Sequence, residues 1–197
     1  MSTRTLLRRA SSASGQSIVE FAMVLPLVLM LVLGVVELSY ALLHEHVVTK
    51  LAREGSNLIS RDTSLLDAAS AMQAMSSAPV NFNNGSRLIF SVIKKGSSTG
   101  TSNFGKDILY QRYEYGTLTA HSLLNTAGSG SFGSAPDYQA NNSDNDTSLQ
   151  VTNLPANLLG PGGMVYVTEI FTNHPSITPL NRLGITMPST LYSIAYF

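Results

Sequence analysis

The chain has no cysteine and no tryptophan among its 197 residues. Absence of cysteine excludes a disulfide framework, a thiolate metal site and a cysteine nucleophile. It is compatible with an exported bacterial protein. Without tryptophan, any anchors at a membrane interface must be Tyr or Phe. Charge is scarce as well. Only 12% of residues are charged, about half the usual globular share, and 12 basic residues balance 12 acidic ones. No cluster of Lys and Arg follows the first few residues, so no nucleic-acid partner is expected. Catalytic signals are missing too. There is no Gly-x-Ser-x-Gly nucleophile motif, and His121 and His174 stand isolated in sequence. His44 and His46, one residue apart, point to different sides of a helix. Asn142, Asp144 and Asp146 alternate as in a calcium loop, but the central glycine and closing glutamate are absent. Gly160-Pro161-Gly162-Gly163 lacks the lysine and helix start of a phosphate loop. The reading is therefore a non-enzyme with no cofactor and no metal.

What the chain does contain is one long apolar run. Residues 18–36 read IVEFAMVLPLVLMLVLGVV. As a helix this rises about 28 Å, close to the roughly 30 Å of bilayer hydrocarbon. No face of it is polar, unlike the amphipathic helix of a soluble domain. Arg4, Arg8 and Arg9 precede it, with no acidic residue ahead of Glu20. That arrangement predicts a cytoplasmic N-terminus and an exported remainder. Pro26 removes a backbone donor and predicts a kink; Gly34 permits close helix approach. Glu37, at the outer boundary, is read as reaching water. Glu20 lies about one turn inside the run, where a carboxylate is favoured near a helix N-terminus and a charge at membrane depth calls for a partner. Gly15 stands just before the run. If the chain is cut after Gly15, Gln16 gains an ammonium that Glu20 of a neighbouring copy can meet.

Gly15, Val19, Glu20, Phe21, Ala22, Val24, Leu25 and Pro26, followed by a Leu/Val run, resemble the start of TadE-like proteins, the pseudopilins of the tight-adherence (Flp pilus) system. Ala52-Arg53-Glu54-Gly55-Ser56 is similar to that family's signature on the emerging helix. Thr178-Pro179-Leu180 after a strand is similar to a late Pro-Leu segment of such domains. The resemblance implies that a prepilin peptidase, an aspartic protease of the inner membrane, cuts between Gly15 and Gln16. Glu20 then becomes the fifth residue of the mature chain and Phe21 the sixth. The implied product is a minor pilin or pseudopilin whose first helix packs with those of other pilins, with the membrane, the peptidase and the pilus assembly machinery as partners. Ser11, Ser12, Ala13 and Ser14 make the expected leader small and flexible, and glycine leaves the backbone open to bind in extended form. The motif does not separate TadE from TadF or other subfamilies. Gln16 gives no sign of the methylated phenylalanine of other type IV pilins.

Beyond the span, Leu43, Val47, Leu51 and Leu58 continue at helical spacing through Ile59, with Glu45, Arg53 and Glu54 on a solvated face and Lys50 and Glu54 spaced for an ion pair. Asp62 or Thr63 is expected to cap a second helix over 64–75, in which Met72 and Met75 fill the core. Strands are expected at 87–94, 108–115, 164–172 and 190–197 from β-branched and aromatic enrichment, with a hairpin loop at 96–105. A polar insert near 127–153 reads as an exposed or mobile loop. The fold class is α+β: a single N-terminal transmembrane helix extending into a small pilin-like domain with an antiparallel sheet. The expected organisation is a cytoplasmic basic leader at 1–15, the transmembrane helix and its exit at 16–43, and an exported domain at 44–197. The expected location is a bacterial inner membrane, single-pass, with the domain periplasmic or extracellular. Two rival readings stay open. One is a signal-anchored periplasmic binding module that keeps its leader. The other is a secreted protein cut after Ser39-Tyr40-Ala41 by an ordinary signal peptidase.

Overall fold

A computed structural model describes residues 13–155, 158–185 and 188–197. The basic leader residues Arg4, Arg8 and Arg9, with Ser11 and Ser12, lie outside the described residues. The elements are α1 (Ala13–Ile59), α2 (Leu65–Met75), β1 (Ser86–Lys95), β2 (Asp107–Gly116), β3 (Met164–Asn173) and β4 (Thr190–Tyr196), with short 3₁₀ turns at Thr147–Leu149 and Pro179–Leu183. The fold is α+β, and each strand lies within two residues of its expected limits. The apolar run and the helix after it form one continuous α1, which passes through Pro26. The first helix turn already contains Ala13, so the segment expected to be flexible is helical from that point. Alanine and the long apolar run that follows favour helix there.

The chain forms two compact units, one of Met1–Tyr40 with Ser176–Met187, the other of Ala41–Pro175 with Pro188–Phe197. In the second unit the four strands pair antiparallel in the order β2-β1-β3-β4. The registers centre on Phe90 opposite Tyr113 and Thr168, and on Thr168 opposite Ala195. Both faces of the two central strands are covered, which is why β1 is buried almost without alternation. One face carries Leu88, Phe90, Val92 and Ile170, packed with Val48, Leu51, Ala52 and Ile59 of α1 and Leu65, Ala68, Ala69 and Met72 of α2. The other face carries Ile93, Leu109, Val165 and Val167, packed with Leu124, Leu149 and Val151. The polar insert is thus a lid on the sheet rather than a free loop. It also protects the outer edge of β2, where Ala140 donates to Tyr110 at 2.7 Å and Val151 to Asp107 at 2.8 Å. An open sheet edge would otherwise invite foreign strands.

Local chemistry explains the ends of these elements. Ser64, rather than Asp62 or Thr63, caps α2: its Oγ accepts from the Asp67 backbone N–H at 3.1 Å and donates to the Asp67 carboxylate at 2.7 Å. The β1–β2 turn closes where the Gly96 N–H donates to Lys106 at 2.8 Å and the Gly105 N–H to Gly96 at 2.9 Å. A Cβ on Gly96 would sit 1.9 Å from the Asn103 carbonyl oxygen, so no other residue fits. Asn103, fully buried, then ties that turn to the insert: its amide donates to Ser143 and Asp146 carbonyls at 2.9 Å each and accepts from Gln150 at 2.9 Å.

Candidate functional site: the N-terminal helix and its docking signature

The first half of α1 exposes its apolar side chains. Ile18, Phe21, Met23 and Leu27 are each more than 60% exposed, and the exposed series runs through Val36. Burial of this area would be strongly favourable, and the chain's own fold does not provide it. The glycines tell the same story. A Cβ on Gly15 or Gly34 would meet nothing within 4 Å, so neither is required by packing inside the chain. A glycine in a helix interior costs roughly 0.5–1 kcal/mol relative to alanine. Among the sequence-predicted residues, Gln16 and Glu20 are brought together: the Gln16 amide donates to the Glu20 carboxylate at 2.9 Å, one turn along an exposed face. Phe21 is exposed, and Pro26 sits within the helix, where its missing N–H leaves the Ala22 carbonyl without the usual helical donor.

At the end of the apolar run the structure departs from expectation. Glu37 does not reach water; it is 1% exposed. Its carboxylate accepts the backbone N–H of Thr178 at 2.9 Å and of Ile177 at 3.3 Å. These are orphan donors at the start of the Pro179–Leu183 turn, for which Thr178 has no side-chain cap bond. A carboxylate from a residue 141 positions away supplies the cap instead. The Thr178-Pro179-Leu180 segment therefore has a physical role: it closes on the helix, and Leu180 is buried there with Thr178.

Further along α1, the Ala52–Ser56 signature separates into two sets. Ala52, Gly55 and Ser56 are buried, whereas Arg53 and Glu54 are exposed. At Gly55 the helix packs tightly on the sheet. An added Cβ would lie 2.7 Å from Thr168 Cγ2 and 3.1 Å from Phe90 Cε1. Ser56 Oγ donates to the Ala195 carbonyl of β4 at 2.9 Å. The small residues of the signature thus dock α1 across β1, β3 and β4. The spacing expected to pair Lys50 with Glu54 produces no ion pair; among the described residues the ion pairs are Arg87–Glu114 and Lys95–Asp107. Met72 is core, as expected, while Met75 is 48% exposed.

Two buried polar groups escaped the sequence reading. His44 and His174, both under 7% exposed, place their Nδ1 atoms 3.1 Å apart. Burial lowers the His44 pKa, and the neighbouring His174 pushes it the same way. On the lid side of the sheet, fully buried Glu169 accepts from the Leu123 N–H at 2.8 Å, the Tyr192 hydroxyl at 3.0 Å and, through a very short bond, the Ser122 hydroxyl. The Arg112 guanidinium donates to Ser122 at 3.0 Å. Burial lowers the Arg112 pKa, with Glu169 and Glu114 opposing that shift. Burial, then the Glu169 charge, raises the pKa of Tyr192. The network borders an open cleft of about 540 Å³ lined by Arg112, Glu114, His121, Ser122, Thr126 and Phe132. Ser122 donates to the Glu169 carboxylate directly, with no imidazole between them, and with the Leu123 and Tyr192 donors it offsets the burial of that charge. Among the described residues no three His, Asp or Glu side chains cluster to hold a metal. Asp144 and Asp146 accept instead from Ser98 at 3.0 Å and Ser148 at 2.6 Å.

No curated protein and no solved structure matches the chain. Residues 15–57 match the family model described as TadE-like protein. The matched stretch runs from Gly15 through the exposed apolar helix to the small residues that seat α1 on the sheet. Over this segment the chain is similar to TadE-like proteins, and among the described residues one helix, near the N-terminus, is long and apolar enough to cross a membrane.

Proposed function

We propose that the chain is a pseudopilin or minor pilin of the tight-adherence system, cut after Gly15 by a prepilin peptidase and assembled into or with the Flp (type IVb) pilus through α1. Its role is structural. The N-terminus faces the cytoplasm, and the domain beyond the span is periplasmic or extracellular. The observation that carries this reading is the largely exposed apolar surface of α1 from Ile18 to Val36, within a TadE-like segment. Such a surface needs lipid before assembly and partner helices after it. Gly15, unneeded by any contact among the described residues, fits a residue that serves a peptidase. Hydrolysis of the Gly15–Gln16 bond adds water across the amide and leaves Gln16 with an ammonium.

Glu20 is exposed, and among the described residues its carboxylate accepts from the Gln16 amide of its own chain. In the assembled state that carboxylate meets the Gln16 ammonium of a neighbouring subunit, a charge-assisted contact made strong by low dielectric. The test is Glu20→Ala in a strain that assembles pili. Cleavage after Gly15 should persist while incorporation of the subunit falls sharply. Normal incorporation by the variant would remove the pairing role.

A further inference from the structure

We infer that the segment 176–185 is a membrane-surface foot, in which Ile177 and Ile185 insert into the outer boundary of the bilayer that α1 spans. The inference rests on the reading of α1 as a membrane span. Three observations lead to it. Ser176–Met187 form one compact unit with the N-terminal part of α1. The Glu37 carboxylate fixes the Ile177 and Thr178 backbone N–H groups beside the helix immediately after the apolar run ends. And Ile177 and Ile185 are 51% and 48% exposed although Leu180 between them is buried.

Depth follows from helix rise. The apolar run is centred near Leu27, and Glu37 lies about 15 Å from that centre along the axis, at the edge of the roughly 30 Å hydrocarbon layer. A residue hydrogen-bonded to Glu37 therefore sits where acyl chains meet headgroups. Val35, Val36 and Leu38 of α1 are likewise exposed, and Ile185 is tied to the same turn by its N–H, which donates to the Leu180 carbonyl at 3.1 Å. The segment 174–185 contains one charge of fixed sign, Arg182, which is exposed and belongs to neither ion pair among the described residues. An arginine beside two exposed isoleucines matches an anionic headgroup above an apolar layer. The backbone cap at Glu37 also fits this setting, because an N–H left unsatisfied at that depth is costly.

The chain has no tryptophan, so one introduced tryptophan reports its own environment. The full chain carrying Ile177→Trp or Ile185→Trp is reconstituted in phosphatidylethanolamine–phosphatidylglycerol vesicles, with and without brominated acyl chains. A Leu29→Trp chain reports insertion of the span. Both foot positions should show blue-shifted emission and lose most of it to brominated lipid, at every protein-to-lipid ratio. Red emission with no quenching at 177 and 185, while Leu29→Trp is quenched, overturns the foot and leaves the span intact. A blue shift that appears only at high protein-to-lipid ratio and resists bromine assigns the isoleucines to a second copy and overturns the lipid assignment. An unquenched Leu29→Trp overturns the span reading and the foot together.

Discussion

Replacing Glu37 by alanine isolates the contact that holds the β3–β4 connection against α1. The carboxylate accepts two N–H groups, at 2.9 Å from Thr178 and 3.3 Å from Ile177. The two are not equivalent. Thr178 is buried and its N–H loses its acceptor outright, whereas the Ile177 bond is the longer and weaker of the two. A hydrogen bond to a charged group is worth about 1.5–3 kcal/mol, and an orphaned buried donor costs about 1–3 kcal/mol. Because the longer bond contributes less, a local loss of about 2–3 kcal/mol is expected. At about 1.4 kcal/mol per tenfold, that raises the opening equilibrium of the segment roughly 30- to 150-fold. Hydrogen exchange of the reconstituted chain reads this directly. The amides of Ile177 and Thr178 should exchange faster by that factor, while those of central strands β1 and β3 keep their protection. Glu37→Gln, which keeps one neutral acceptor, should fall between. Unchanged exchange at Thr178 in the alanine variant would show that the carboxylate is not what closes the segment.

Other outcomes follow from the second unit. Gly55→Val places branched atoms against Thr168 and Phe90; overpacking of this kind should destabilise the domain by about 1–3 kcal/mol in denaturant unfolding, and an unchanged midpoint would refute the close docking. Glu169→Gln removes the carboxylate that accepts from Leu123, Tyr192 and Ser122 and whose charge opposes the lowering of the half-buried Arg112 pKa, so about 1–3 kcal/mol should be lost; the double variant with Arg112→Gln should recover part of it, which a double-mutant cycle measures. For His44 the folded pKa is lowered, so the unfolded chain binds the proton more readily. Stability from the neutral imidazole is then present above the ordinary histidine range and is lost as pH falls below about 6.5, by at most about 1.4 kcal/mol per pH unit. Comparing unfolding of the native chain and His44→Phe from pH 7.5 to 5.5 checks this (working range about one unit either side of the ordinary value); equal slopes would contradict it.

Much of the fold was legible because local signals agreed. The β-branched and aromatic clusters around Phe90, Tyr113 and Tyr166 marked strands, and a long apolar run marked α1. The cap of α2 is hard to place within five consecutive polar residues, Ser60 to Ser64, but the Ser64-x-x-Asp67 spacing carries the correct signal. What stayed hidden depends on contacts between residues far apart in sequence. Glu37 reads as a boundary charge until Thr178 folds beside it. His174 reads as isolated until β3 ends next to His44. The insert reads as a loop because its apolar residues, Phe132, Leu149 and Val151, are too widely spaced to show a period, yet with Leu124 just before it they pack on one face of the sheet. The TadE-like signature was recognisable, but its reason was not. Only the sheet shows that Ala52, Gly55 and Ser56 are small because strands lie against them.

The most direct measurement is the mass of the mature chain and its N-terminal peptide, from cells with an active prepilin peptidase. A chain beginning at Gln16 is expected, with Glu20 as its fifth residue. A chain beginning at Met1, as a signal anchor would, or at Leu42, as after ordinary signal-peptidase cleavage, would contradict processing at Gly15 and the assembly role built on it.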